Sequence, residues 1–212
     1  YKGKRVGSFG DIVVFSFHAN KNLTTIEGAA VSVATAEEAK RLEILRFHGI
    51  SKFPDGTMDV SEAASKHNMT DVAARVGIGQ LKQLDGFNKR RRELAHRYFE
   101  LLTDESLVLL PAKGDAGHSW HMFTPLPLYK KFGIDRNTLK QRMHALGIGL
   151  GIHYQALNQF SFYKKMGYRE GQFPNAERIG NETLTFPLFP LMQMSDVDRV
   201  CAALKTCLQQ GA

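Results

Sequence analysis

The sequence predicts a mixed α/β chain. Three observations lead there: β-branched and aromatic runs alternate with helical periodicities, Gly, Pro, Asn and Asp punctuate the joints, and 43% of the 212 residues are hydrophobic. That apolar share can fill one large domain or two small ones. Aromatic content of 10% and charged content of 23% are those of an ordinary globular protein and give no sign of disorder.

Ile12 to Phe17 reads as a strand after the punctuation of Gly7, Gly10 and Asp11. A polar run from His18 to Thr25 interrupts it, and Gly28 to Ala34 reads as a second strand. Thr35 and Glu38 have capping-box spacing, so a helix is expected over about 36–48, burying Leu42 and Leu45 and stopping at Gly49. Residues 49–68, with Ser51, Pro54, Asp55 and Gly56, read as a loop long enough to suggest function. Thr70 caps a helix to about Leu84. Another, over about 86–103, carries the stripe Phe87, Leu94, Tyr98, Leu101 and Leu102, with Lys89 to Arg92 mainly opposite.

Strand-like segments at about 107–110 and 119–128 frame a turn around Gly114 and Gly117. Asp135 and Asn137 precede a helix with Leu139, Met143 and Leu146 on one side and Gly147 as its end. Gly149 to Tyr154 reads as a short strand, and Pro174 opens a helix at a position that tolerates proline. Ser195 with Asp198 caps the last helix, which buries Val197, Val200, Cys201 and Leu204. The domain boundary falls in the long helical stretch, giving 1–85 and 86–212.

Twenty-eight basic against 21 acidic residues give a net charge of +7. Such a balance attracts nucleic acid, anionic membrane or phosphorylated small molecules, and its sign does not choose among them. Cys201 and Cys207 are about 240° apart on a helix, poorly placed to pair, and no zinc spacing is present. A reducing, cytoplasmic compartment fits. No apolar run is long enough for a bilayer span and no signal-peptide pattern is seen. The chain opens on Tyr1 in mid-architecture, which suggests a piece of a longer protein.

The chemistry concentrates in Phe15-Ser16-Phe17-His18-Ala19-Asn20-Lys21-Asn22-Leu23-Thr24-Thr25-Ile26-Glu27-Gly28-Ala29. Here a lysine ends a polar turn beside a strand and a small, glycine-containing segment. Desolvation disfavours an ammonium, and a lysine held in a dry pocket presents the free amine that Schiff-base chemistry needs.

This run resembles the cofactor-lysine segment of the DegT/StrS-type sugar aminotransferases, a branch of the fold-type I pyridoxal-phosphate enzymes, and matches every fixed position of F-S-F-H-x-x-K-N-x-T-x-x-E-G-[GA]. Further stretches resemble the family in order along the chain: Lys66 to Asp71, Gln80 to Leu84 with Arg90 to Glu93, Ser119 to Phe123, Gly147 to Tyr154, and Phe186 to Pro190. His67 stands where many members carry an aromatic residue, and Ala29 replaces a glycine. Relatives that carry histidine in place of the lysine are dehydratases, and Lys21 argues against that branch.

The resemblance implies an incomplete large cofactor-binding domain followed by a small C-terminal α/β domain. It implies that Lys21 carries pyridoxal 5'-phosphate and moves the proton, that Ser16 binds the cofactor phosphate, and that Asn68 reaches the cofactor of a partner subunit in a homodimer. His18 would lie near the cofactor, and His153 and Tyr154 on the substrate side. The implied reaction moves an amino group from a donor such as glutamate to a nucleotide-diphosphate keto sugar, for lipopolysaccharide or surface-polysaccharide 4-amino sugars. The family's first half supplies a phosphate-binding turn, an aromatic ring stacked on the cofactor and an aspartate for its ring nitrogen. This chain alone is therefore expected to be inactive.

Structural readings stand beside these. Ser16 can satisfy a backbone group, Asn68 can cap a helix, and His153 can be a core residue. Trp120 and His121 suit strand packing, and Arg90 to Arg92 a solvated face. Two other functions stay open: a nucleic-acid module using Lys89 to Arg92 and Arg97, and a non-catalytic remnant of a pyridoxal-phosphate enzyme.

Overall fold

A computed structural model describes residues 2–114 and 117–210, so Tyr1 and the middle of the expected turn at 115–116 lie outside the described residues. The chain divides into two compact units, Tyr1–Leu84 and Asp85–Ala212.

In the first unit, β1 (Val13–Ser16) pairs antiparallel with β2 (Ala29–Ser32), with Ser16 opposite Ala29. Helix α1 (Ala36–Leu45) starts on the expected box: Glu38 N donates to Thr35 Oγ1 at 3.1 Å, and Thr35 N donates to Glu38 Oε2 at 3.0 Å. It ends earlier than expected, and Leu42 and Leu45 are only half-buried.

The stretch expected as loop contains a hairpin, β3 (Ile50–Lys52) with β4 (Met58–Val60). Its turn is built by Asp55, whose carboxylate accepts from Thr57 N at 2.9 Å and Thr57 Oγ1 at 2.6 Å, and by Gly56 at φ +86°. Every β4 residue is exposed, so no buried face imposed a readable alternation. Helix α2 (Asp71–Leu81) is capped by Thr70, which accepts from Ala73 N at 3.2 Å.

The second unit opens with α3 (Leu84–Leu101), which begins at the unit boundary. A small ladder follows, β5 (Val108–Leu109) against β6 (Leu126–Pro127). Then come α4 (Arg136–Ala145), α5 (Ser161–Lys165), α6 (Pro174–Glu182) and α7 (Met194–Gln209).

Three expectations are corrected. The strand at 119–128 shrinks to β6 and a bridge between Phe123 and Phe186, with Trp120 at φ +43°. The strand at 149–154 is a single bridge between Gly151 and Thr185. Helix α7 starts on Gln193 and Asp196 instead of Ser195 and Asp198, because Asp198 pairs with Arg97 Nε at 2.7 Å.

Burial is unequal. The apolar core lies wholly within Leu94–Leu208 and includes Leu94, Tyr98, Phe123, Leu139, Phe186 and Leu204. Tyr98 stacks on Phe123 at 4.6 Å and donates its hydroxyl to Pro187 O at 2.8 Å, and burial raises its pKa. Among the described residues of the first unit no apolar side chain is buried, while Thr25 is.

The expected solvated face of α3 is also corrected. Arg91 is 7% exposed, and its Nη1 donates to Trp120 O at 3.2 Å, His121 O at 3.1 Å and Leu188 O at 2.8 Å. Desolvation lowers its pKa. Arg90 donates to Met192 O at 2.8 Å and pairs with Glu93.

Candidate functional site

Residues 16–28 form a closed loop between β1 and β2. Phe17 N donates to Gly28 O at 2.8 Å, Thr25 N to Phe17 O at 3.0 Å, and Thr24 Oγ1 to the same carbonyl at 3.1 Å. Within it, Lys21 N donates to His18 O at 2.9 Å, a tight turn that sets the lysine at the tip. Lys21 is half-buried. Ser16, at the end of β1, is exposed; its Oγ accepts from His18 N at 3.4 Å, and its own proton has no acceptor among the described residues. His18 is exposed, with Nδ1 2.9 Å from Asn20 Oδ1 and Nε2 3.6 Å from Glu27 Oε1.

The base of the loop is fixed by Thr25. Its hydroxyl donates to Glu27 O at 2.8 Å, and a Cβ on Gly77 of α2 would stand 2.7 Å from its methyl, so only glycine allows that approach. A cleft of about 440 Å³ opens between Thr25 to Ala29 on one side and His67 to Ala73 at the entry of α2 on the other. Asn68 lines it, and its Oδ1 is buried without a hydrogen-bond partner. The carboxamide can present either a donor or an acceptor there. First-turn amides of α2 and its dipole favour an anion at this end. Lys21, Ser16 and His18 do not line the cleft.

In the second unit His153 is half-buried with Nδ1 2.8 Å from Thr185 Oγ1, while Tyr154 is exposed. Their rings meet edge to face at 4.8 Å. Sequence reading missed Thr185, and also a buried carboxylate, Glu177, below them. Glu177 accepts from Gly171 N at 2.8 Å, Phe173 N at 3.1 Å and Asn158 Nδ2 at 2.7 Å. Led by the Gly171 bond, these hold its carboxyl below the usual carboxylate range against desolvation. Its position in the first turn of α6 reads in sequence as a solvated helix charge. Among the described residues, no group of three His, Cys, Asp or Glu is placed to hold a metal, and no helix is long and apolar enough to cross a membrane.

The profile of the DegT/DnrJ/EryC1/StrS aminotransferase family matches residues 1–205. The chain belongs to this family. Among its relatives, the spore coat polysaccharide biosynthesis protein SpsC of Bacillus subtilis is 35% identical over 97% of this chain. A structure of Spr1654 from Streptococcus pneumoniae in its PMP form, assigned as a sugar aminotransferase, superposes with a TM-score of 0.89 at 28% identity over 99% of this chain. DesI, solved with its TDP-sugar product, gives 0.85 at 26% identity over 98%. The fold is thus that of the fold-type I pyridoxal-phosphate sugar aminotransferases, over part of their length. The chain spans 56% of SpsC, 56% of the Spr1654 chain and 52% of DesI.

Proposed function

We propose that this chain is the part of a pyridoxal-phosphate sugar aminotransferase that holds the cofactor lysine, Lys21. Residues 1–85 would belong to its large domain and 86–212 to its small one. The observation that supports this reading is the closed 16–28 loop, in which the lysine matching the family segment follows a turn onto His18 O, while the amide of His18 donates to Ser16 Oγ.

The side chains present suit such a cofactor: a half-buried lysine, a serine hydroxyl with an uncommitted proton, and a carboxamide whose Oδ1 is buried without a partner. When bound, pyridoxal 5'-phosphate supplies the electron sink that acidifies the substrate carbon. Lys21 Nζ would hold the cofactor and would take and return the proton at that carbon. Ser16 Oγ would donate to the cofactor phosphate, and His18, held by Asn20 and Glu27, would border it. Asn68 would bind the phosphate of the cofactor in a partner subunit, which makes a homodimer the working form of this reading. His153 and Tyr154 contact the acceptor, a keto sugar on a nucleotide diphosphate, and glutamate is the amino donor. The product is a 4-amino sugar for lipopolysaccharide or surface polysaccharide, made in the cytoplasm. The +7 charge favours an anionic acceptor.

A nucleic-acid module is disfavoured by the fate of its cations. Arg90 and Arg91 are spent on backbone carbonyls, and Arg97 on Asp198 and Glu100. Borohydride reduction of the complete polypeptide with its cofactor should label Lys21, and Lys21→Ala should abolish the cofactor's absorbance near the visible edge. A label on another residue, or an unchanged spectrum, would refute the assignment.

A further inference from the structure

Three ties in succession fasten residues 151–173 to α6 and the segment after it. Gly151 and Thr185 exchange backbone hydrogen bonds of 3.0 and 2.8 Å, and Thr185 Oγ1 also holds His153. Further along, Gly180 lies so close that a Cβ there would stand 2.7 Å from Ala156 N and 3.0 Å from Tyr154 O. The last tie is Glu177. Its carboxylate accepts from Asn158 Nδ2, Gly171 N and Phe173 N, and Asn158 Nδ2 also donates to Arg169 O at 2.9 Å. Asn158 is 4% and Glu177 7% exposed.

No cation pairs with Glu177 among the described residues; amide N–H groups alone satisfy it. A buried charge without a counterion is a poor device for stability, since an apolar residue of similar volume often serves as well. It is a strong device for geometry, because each oxygen demands donors in fixed places and those donors sit at both ends of the 158–173 excursion. The excursion exposes Phe160, Phe162, Met166 and Tyr168, so it does not hold itself down by burying apolar surface.

We propose that Glu177 is a positioning residue for the acceptor side of the site: through Asn158 and the 158–173 loop it fixes the stretch that presents His153 and Tyr154. The proposal rests on the reading that those two residues face the acceptor. It assigns Glu177 no contact with cofactor or substrate.

The test uses the complete holoenzyme with glutamate as donor and TDP-linked and UDP-linked 4-keto hexoses as acceptors, taking the faster one. Glu177→Gln places an amide N–H against the N–H of Gly171. Asn158→Ala is the milder change should the first fail to fold. Acceptor KM should rise roughly 10-fold in Glu177→Gln and roughly 3-fold in Asn158→Ala, as expected for loss of charge-assisted hydrogen bonds. The donor half-reaction and the cofactor absorbance should not change, and tryptic cleavage after Lys164, Lys165 and Arg169 should quicken. An acceptor KM within about twofold of wild type, or a donor half-reaction that falls in step with it, would overturn the proposal. An acceptor KM that Tyr154→Ala leaves at the wild-type value would instead remove the reading beneath it, and the proposal with it.

Discussion

Replacing Arg91 by Met should destabilise the second unit far more than the same change at Arg92, its neighbour. The guanidinium of Arg91 is the shared donor for three carbonyls, those of Trp120, His121 and Leu188. The shortest bond, 2.8 Å to Leu188 O, comes from a charged donor and is worth about 1.5–3 kcal/mol. The two longer ones add about 1–2 kcal/mol when their acceptors lose a partner in a closed environment. Relief of the cation's own desolvation, the effect that lowers its pKa, offsets part of this. The net loss is about 3 kcal/mol, or a fall in Tm of roughly 10 °C. Arg92 makes no hydrogen bond or ion pair among the described residues, and its replacement should stay within about 0.5 kcal/mol. The chain's single tryptophan, Trp120, is 5% exposed and sits at the perturbed carbonyl, so its fluorescence in urea reports the unit directly. A midpoint for Arg91→Met that coincides with that for Arg92→Met would refute the accounting.

Tyr98→Phe removes the hydroxyl that serves Pro187 O and should cost about 1–2 kcal/mol in the same urea experiment. Gly180→Ala drives a methyl against the backbone of Tyr154 and Ala156 and should cost about 1–3 kcal/mol, read as a lower Tm. Cys201, 2% exposed with its pKa pushed up to about 12 mainly by burial, and the buried Cys207 should resist a thiol reagent at neutral pH until denaturant is added. Glu177 has a lowered folded pKa, so its contribution is complete above the unfolded carboxylate value and is lost as pH falls through the folded one. Amide exchange at Gly171 and Phe173 should therefore stay protected at neutral pH and rise only in acid below the usual carboxylate range.

Helix starts were legible where the capping chemistry was local. Thr35 with Glu38, Thr70, Asp135 and Pro174 each open a helix within a residue of the place expected, because cap and first turn are neighbours in sequence. The last helix escaped because two acidic residues, Asp196 and Asp198, compete for the cap, and a distant arginine decides between them. The β3–β4 hairpin was hidden because every β4 residue is exposed and none of β3 is buried, and Arg91 by the company of three other cations. At the candidate site the 16–28 segment announced its chemistry through residue types at fixed spacing. Glu177 gave no such signal, since what distinguishes it is a set of backbone donors brought together by the fold.

The two units have very different means of holding their shape. One is an interlocked aromatic and aliphatic interior; the other consists of two short hairpins and two helices with scarcely any dry centre. Small sheets of that kind have little cooperativity of their own. Heating this chain should therefore give a staged melt: the backbone ellipticity begins to decay while Trp120 emission still reports a native surrounding, and the two curves fail to superimpose. The loop at 16–28 therefore depends for its order on the hydrogen bonds that close its own base, with no dry centre of this unit beneath it.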